Sequence, residues 1–374
     1  MIAAEPCHQA GLAAIDGVDL AALPEAMRGL DDAATDTMAA TLRRAGLFRP
    51  GVSHRPEQVL QRLRVAERHR WIVRGWLRAL IGHGKLRASD DGTVLRDLAP
   101  APAHPAPLAG LCARLGYPAE VSGFFDATAA RLPELLRDEV TLQSVLFGTD
   151  STATADGVYR ENVINGYLNA ALVEVLRTAS PATPRVLELG AGVGATAIPV
   201  LSGLTGDLDY LFTDVSRYFL DTAKKILAHD DRVRFGELDI NDPGTHSVEP
   251  ESCDAVIAAN VLHNAVDVRA VLETARSWLR PGGLLLVVES CGELLQAAVS
   301  MQFLMSPAAG RPAAGSADLR VGSDRIFLTR DEWLGEFRHA GLRPLLDLPR
   351  REHPLSTLGQ SLLAATPSEP GALS

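Results

Sequence analysis

Residues 188–196 read ELGAGVGAT, so Gly190, Gly192 and Gly194 follow Glu188 at alternate positions. Glycines at a strand-to-helix turn let the main chain approach a ligand closely, and the N-terminus of the next helix then faces it. This spacing is shared: Gly190, Gly192 and Ala195 also satisfy a GxGxxA dinucleotide fingerprint. Three carboxylates separate the readings. Glu188 is placed to address a cationic amino-acid head rather than a pyrophosphate. Asp214 stands 214 − 194 = 20 residues beyond Gly194, where a carboxylate takes both hydroxyls of a ribose. Asp239 and Ile240 offer an acidic edge and an apolar face to an adenine. Three carboxylates without a basic clamp suit a ligand that lacks phosphates, an adenosine joined to a charged amino acid through a sulfonium: S-adenosylmethionine.

Such residues need a sheet to hold them at the ends of neighbouring strands. Apolar runs at 185–190, 208–215, 233–240, 253–260, 284–289, 343–348 and 360–365 supply one, with helical segments between the first five. The pattern predicts an α/β fold, a Rossmann-like seven-stranded mostly parallel sheet over 184–374, with an antiparallel edge from the last two strands. Before it, apolar residues recur at helical spacing from Asp31 to about Leu98, as in Met38, Leu42 and Leu47 and then Val59, Leu60 and Leu63. The helical stretch 71–80 stops at Gly82 and Gly84, and two short extended pieces follow around Asp91-Gly92. Residues 1–107 therefore read as a helical, winged-helix-like N-terminal domain that ends in a Pro/Ala-rich linker, and 108–183 as a helical cap. Trp71 and Trp76 read as core residues, and 308–317, rich in Ala, Gly and Pro, as a mobile loop.

The charge balance, 36 Lys+Arg against 46 Asp+Glu, gives −10 and argues against a broad nucleic-acid footprint, which needs clustered basic charge. Cys7, Cys112, Cys253 and Cys291 are far apart with no CxxC pair, so neither a zinc cage nor a disulfide framework is expected, and no metal. The chain has no secretory signal and no apolar run of about 18 residues, which points to the cytoplasm and away from membranes. GxSxG, GxxxxGK and HExxH are missing, leaving hydrolase, P-loop and zincin chemistry without support.

ELGAGVGATA, the TDV around Asp214, the LDI around Asp239 and LRPGG at 279–283 together resemble the ordered motifs of class I S-adenosylmethionine-dependent methyltransferases. A narrower resemblance covers about 68–341. ANVLH at 259–263, Glu289, Arg68-His69-Arg70, the 76–80 stretch and the segment from Ser144 through Tyr159 to Asn169 are similar to the C-methyltransferase domains of polyketide and nonribosomal peptide synthases. This resemblance implies secondary-metabolite biosynthesis and a catalytic His263–Glu289 pair. It also implies that Asn260 and Tyr159 lie at the cofactor, and that Tyr167 and Asn169 belong to a capping segment at the substrate.

The implied chemistry is coherent. Methyl transfer from a sulfonium is a backside displacement, and a carbon acid offers no nucleophile until a base removes its proton. An imidazole suits that task, and a carboxylate behind it fixes the tautomer. The expected acceptor is a small or carrier-tethered keto acid, and a homodimer is admitted. Such domains usually lie inside megasynthases, whereas this sequence reads as a free-standing version. Their glycine-tryptophan segment after strand five is replaced here by SMQFLMSP at 300–307, which leaves the acceptor open. Two other readings compete: an intramolecular cyclase that makes a small-ring amino acid of the azetidine-2-carboxylate type and releases methylthioadenosine, and a binding protein working through its winged element.

Overall fold

In the computed structural model, which describes residues 2–100, 102, 107–146, 162–242 and 248–368, the apolar runs beyond residue 184 join one sheet. A wing comes first in the chain, β1 (Arg87–Ala88) and β2 (Leu95–Arg96). The sheet strands are β3 (Arg185–Leu189), β4 (Asp209–Asp214), β5 (Val233–Glu237), β6 (Cys253–Ala259), β7 (Leu279–Ser290), β8 (Leu342–Leu348) and β9 (Gln360–Pro367). Their order is β5-β4-β3-β6-β7-β9-β8. β5 through β7 run parallel, and β9 lies antiparallel to both β7 and β8. Central strands such as β6, apolar except for Asp254, are buried because helices cover both faces.

The third sheet strand is shorter than the sequence pattern predicts, stopping at Glu237 instead of Ile240. The Asp239 carboxylate accepts the Asn241 N–H at 2.9 Å, a local turn that bends the chain away from the sheet and leaves Asp239 and Ile240 in the loop.

The N-terminal helices begin earlier than the periodicity suggests, with Ala4–Ala14 and then Leu23–Arg44. The longer helix serves two cores. Leu23, Ala26, Met27 and Leu30 pack in the cluster under the sheet, while Met38 and Leu42 pack with the helices Pro56–Leu63 and Arg70–Gly82. Its apolar stripe thus joins the helical region to the sheet near residue 31, well before the Pro/Ala-rich stretch. The wing is present: β1 and β2 pair antiparallel, and the Asp91 carboxylate accepts the Thr93 N–H at 3.1 Å to close the turn between them.

Trp76, fully buried, donates its indole N–H to the carbonyl of Ala298 at 2.8 Å. The Ser306 hydroxyl lies 2.7 Å from His69 Nδ1 and accepts the Trp71 indole N–H at 3.1 Å. Burial, and next the neighbouring Arg68, push the His69 pKa down to about 4, so its ring is neutral at physiological pH. The 308–317 loop is pinned, since Gly315 N–H donates to the Ala265 carbonyl at 2.8 Å and Ala317 N–H to that of Val266 at 3.1 Å. Among the described residues no helix is long and apolar enough to cross a membrane, and no His/Cys/Asp/Glu group is arranged to hold a metal.

Candidate active site

Strand order reverses between β3 and β6, and a crevice opens at such a point beyond the strands' carboxyl ends. It is about 490 Å³, lined by Glu188, Gly190, Gly192, Asp214, Asp239 and Ile240 among others. Gly190, Gly192 and Gly194 all have positive φ (58°, 53° and 75°). At Gly190 the absence of a side chain is also a packing requirement, because a Cβ there would sit 2.3 Å from Val261 Cγ2. The loop that follows β3 is thereby held low enough to leave room for a ligand.

Asp214, at the end of β4, accepts the Gly192 N–H at 2.9 Å and the Ser216 N–H at 2.7 Å, so the same carboxylate that faces the crevice also shapes the glycine turn. Burial raises its pKa despite these bonds. Glu188 is buried beneath the crevice and accepts the Tyr210 hydroxyl at 2.7 Å. Burial pushes its pKa up to about 8, against the lowering effect of the Tyr210 bond and with a further rise from Asp214. Arg311, from the pinned loop, reaches Asp239 at 3.3 Å and borders the crevice.

Asn169, in the helix Val163–Ala179, also lines the crevice; its amide donates to the Ala195 carbonyl at 2.9 Å, and its Oδ1 accepts the Thr196 hydroxyl at 3.3 Å. Tyr167 points elsewhere. It is fully buried against the first helix, where its hydroxyl meets His8 Nδ1 at 2.6 Å. Tyr159 lies outside the described residues.

His263 follows β6 in a short 3-10 turn, Leu262–Asn264, and is 6% exposed. Glu289, near the end of β7, is completely buried. The ring Nδ1–H donates to Glu289 Oε2 at 3.0 Å, and the His263 main-chain N–H donates to Oε1 at 3.2 Å. With Nδ1 carrying the proton, Nε2 presents its lone pair, to which the Asn264 amide donates at 3.1 Å. Phe327 packs edge-on against the ring with centroids 5.2 Å apart.

His263 lines a second cavity, about 250 Å³, that shares Asn165, Asn260, Asn264 and Leu304 with the first. Asn260 holds a left-handed backbone, φ 52°, at this junction, with its N–H donating to the Val288 carbonyl at 2.7 Å. The two spaces form a crevice and a smaller side chamber, with the His263 imidazole at the chamber wall.

Several residues of this arrangement carry no sequence signal. Arg320 donates to the carbonyls of His263 and Ala265, each at 2.8 Å, and is held by the buried Asp318 at 2.6 Å. Phe327, Gln296 and Gln360 also line the second cavity from segments without recognisable motif. Asn264 alone was within reach of sequence reasoning, as the neighbour of the histidine.

The family described as "Methyltransferase domain" matches residues 187–285. Over 323 residues the chain is 30% identical to pyochelin synthetase PchF of Pseudomonas aeruginosa, a match covering 83% of this chain and 17% of that protein. It is 29% identical over 328 residues to polyketide synthase ThaQ of Burkholderia thailandensis, covering 78% of this chain and 15% of that one. The chain thus spans less than a fifth of the length of these curated relatives. Among solved structures the CurJ carbon methyltransferase has the same fold, with a TM-score of 0.83, 21% identity and 98% of each chain covered.

Proposed function

We propose that this chain, which belongs to the S-adenosylmethionine-dependent methyltransferases of the class I fold, methylates an acidic carbon of an acyl substrate with His263 as general base. The observation that carries the reading is the buried His263–Glu289 pair opening on a chamber that joins the cofactor crevice.

The crevice fits S-adenosylmethionine. Its glycine cradle admits close approach, the crevice-lining Asp214 and Asp239 would offer acceptors to ribose and adenine groups, and Glu188 would gain from a cationic partner that restores its charge. When bound, that cofactor supplies an electrophilic methyl group on sulfur. The protein's own residues do the rest. Glu289 holds the Nδ1–H tautomer, which aims the Nε2 lone pair at the chamber and stabilises the ring once it is charged. Proton removal from a carbon beside a carbonyl then gives the nucleophile, with Asn264 giving way at Nε2.

The described lining of the chamber includes no Lys or Arg. A free keto acid would bring a carboxylate there without a counter-ion, which is costly, so the reading favours a neutral thioester delivered on a carrier arm. The synthetase and synthase relatives support it. The test is incubation with S-adenosylmethionine and a β-ketoacyl pantetheine thioester, with the product followed by mass spectrometry and carbon NMR. A C-methylated thioester is expected. Release of methylthioadenosine without acceptor would overturn the reading in favour of cyclisation.

A further inference from the structure

The chamber beside His263 contains two polar groups that proton transfer does not use. The Oε1 atoms of Gln296 and Gln360 are both buried without a hydrogen-bond partner in the protein, and both side chains line the chamber. They come from separate elements. Gln296 stands in the short helix Leu295–Ala298, and Gln360 opens β9, paired with Ser290 at the end of β7. An amide oxygen can only accept, so a native site that buries two of them calls for donors from a ligand or water. The acyl part of a plain 1,3-dicarbonyl substrate carries acceptors alone and offers nothing to either oxygen, leaving them to water or to the carrier arm's own amides, whereas a site built to bond an N–H discriminates against analogues that lack it.

Resting on the reading of this chamber as the acceptor site, we propose that the acceptor carries amide N–H donors on its acyl part, as an acylamino or peptidyl group does, and that Gln296 and Gln360 select it through them. The two glutamines are specificity-determining residues, and the substrate is a nitrogen-bearing acyl thioester.

The test uses two β-ketoacyl pantetheine thioesters that differ only in an acetamide on the acyl chain, N–H in one and N-methyl in the other. Their dissociation constants are measured by calorimetry with S-adenosylhomocysteine present, and methyl transfer is measured separately. Wild-type protein is expected to bind the N–H compound ~10-fold more tightly, the scale of one buried hydrogen bond. Gln296→Met with Gln360→Met, of similar length and apolar, should bring the ratio close to one. Equal wild-type affinities, a comparison that needs no variant, would overturn the assignment, as would a preference that survives in a double variant with a cooperative melt. A preserved, glutamine-dependent preference with no methylated product would count against the methylation reading while supporting the glutamine assignment.

Discussion

Arg320 donates from Nη1 to the main-chain carbonyl of His263 at 2.8 Å, and its guanidinium also reaches the carbonyls of Ala265 and Ile326 and the Asp318 carboxylate. The side chain is completely buried. Burial opposes the charge on Asp318, yet bonds from Arg320 and from backbone N–H groups hold its pKa below the usual range. The turn that presents His263 is therefore fixed by a cation some sixty residues further along the chain (320 − 263 = 57).

Arg320→Met leaves a buried carboxylate without its partner and should cost about 3–5 kcal/mol of stability, read as a lower melting temperature. Arg320→Lys keeps the charge but not the planar fork. It is expected to melt closer to wild type, to bind cofactor almost normally and to lose ~10-fold in kcat, the cost of a displaced base. An unaltered kcat with a raised KM would contradict the positioning role.

His263→Ala should leave affinity for S-adenosylhomocysteine nearly as in wild type and reduce turnover by ~10²–10⁴-fold, the range for a lost general base. Glu289→Gln should also slow turnover, because an amide can offer an acceptor to Nδ1–H but no charge to stabilise the protonated ring. Exchange of the acceptor's acidic proton for deuterium, followed by NMR without cofactor, checks the base independently of methyl transfer.

Asp214→Ala acts earlier in the cycle. It removes the acceptor for the Gly192 N–H along with the carboxylate proposed to hold the ribose, so both the cradle and that contact should weaken. Calorimetry should show cofactor affinity lower by ~10-fold or more, on the scale of one or two hydrogen bonds to a charged acceptor. Unaltered affinity would remove Asp214 from the cofactor site.

The raised pKa of Glu188, about 8, has a pH consequence. Below that value the unliganded protein holds Glu188 protonated; a cationic ligand favours the ionised form, so binding releases a proton. Affinity should rise with pH toward 8 and level off above it. The same burial means that ionising Glu188 costs stability as pH climbs from the ordinary carboxylate range through 8. Calorimetry in buffers of different ionisation enthalpy will detect the proton, and Glu188→Gln should abolish its release.

Gly190→Ala tests the cradle. A side chain at φ 58° and 2.3 Å from Val261 is strained and overpacked, and a loss of about 1–3 kcal/mol is expected in denaturant unfolding. Combining it with Val261→Ala should recover the packing part only.

What could be read beforehand divides along physical lines. Glu188, Gly190, Gly192, Asp214 and Asp239 each follow from local chemistry, a strand that ends and a turn that begins, and local spacing preserves that. His263 and Glu289 were legible only through the motif that places them, for their meeting depends on the register of β6 against β7. Tyr167 and Asn169 show the limit of reading by proximity. Residues two apart on a helix face different ways, so Asn169 reaches the glycine turn while Tyr167 packs against the first helix. Arg320, Gln296 and Gln360 lie in stretches whose roles arise only when the chain closes on itself. The sequence pattern carries the third sheet strand too far because apolar Leu238 and Ile240 prolong its run, though out of phase with Val233 and Phe235, and the Asp239 turn that follows it has no hydropathy signature.

Ser306, bonded to His69 and Trp71, and Ala298, bonded to Trp76, lie on either side of chamber residues Met301 and Met305. The winged region is thus masonry for the chamber proposed to take the acceptor. Chimaeras that transplant only the nucleotide-gripping half onto a foreign front end would inherit the methyl donor and lose the choice of recipient, so an exchange meant to carry selectivity has to take both pieces together.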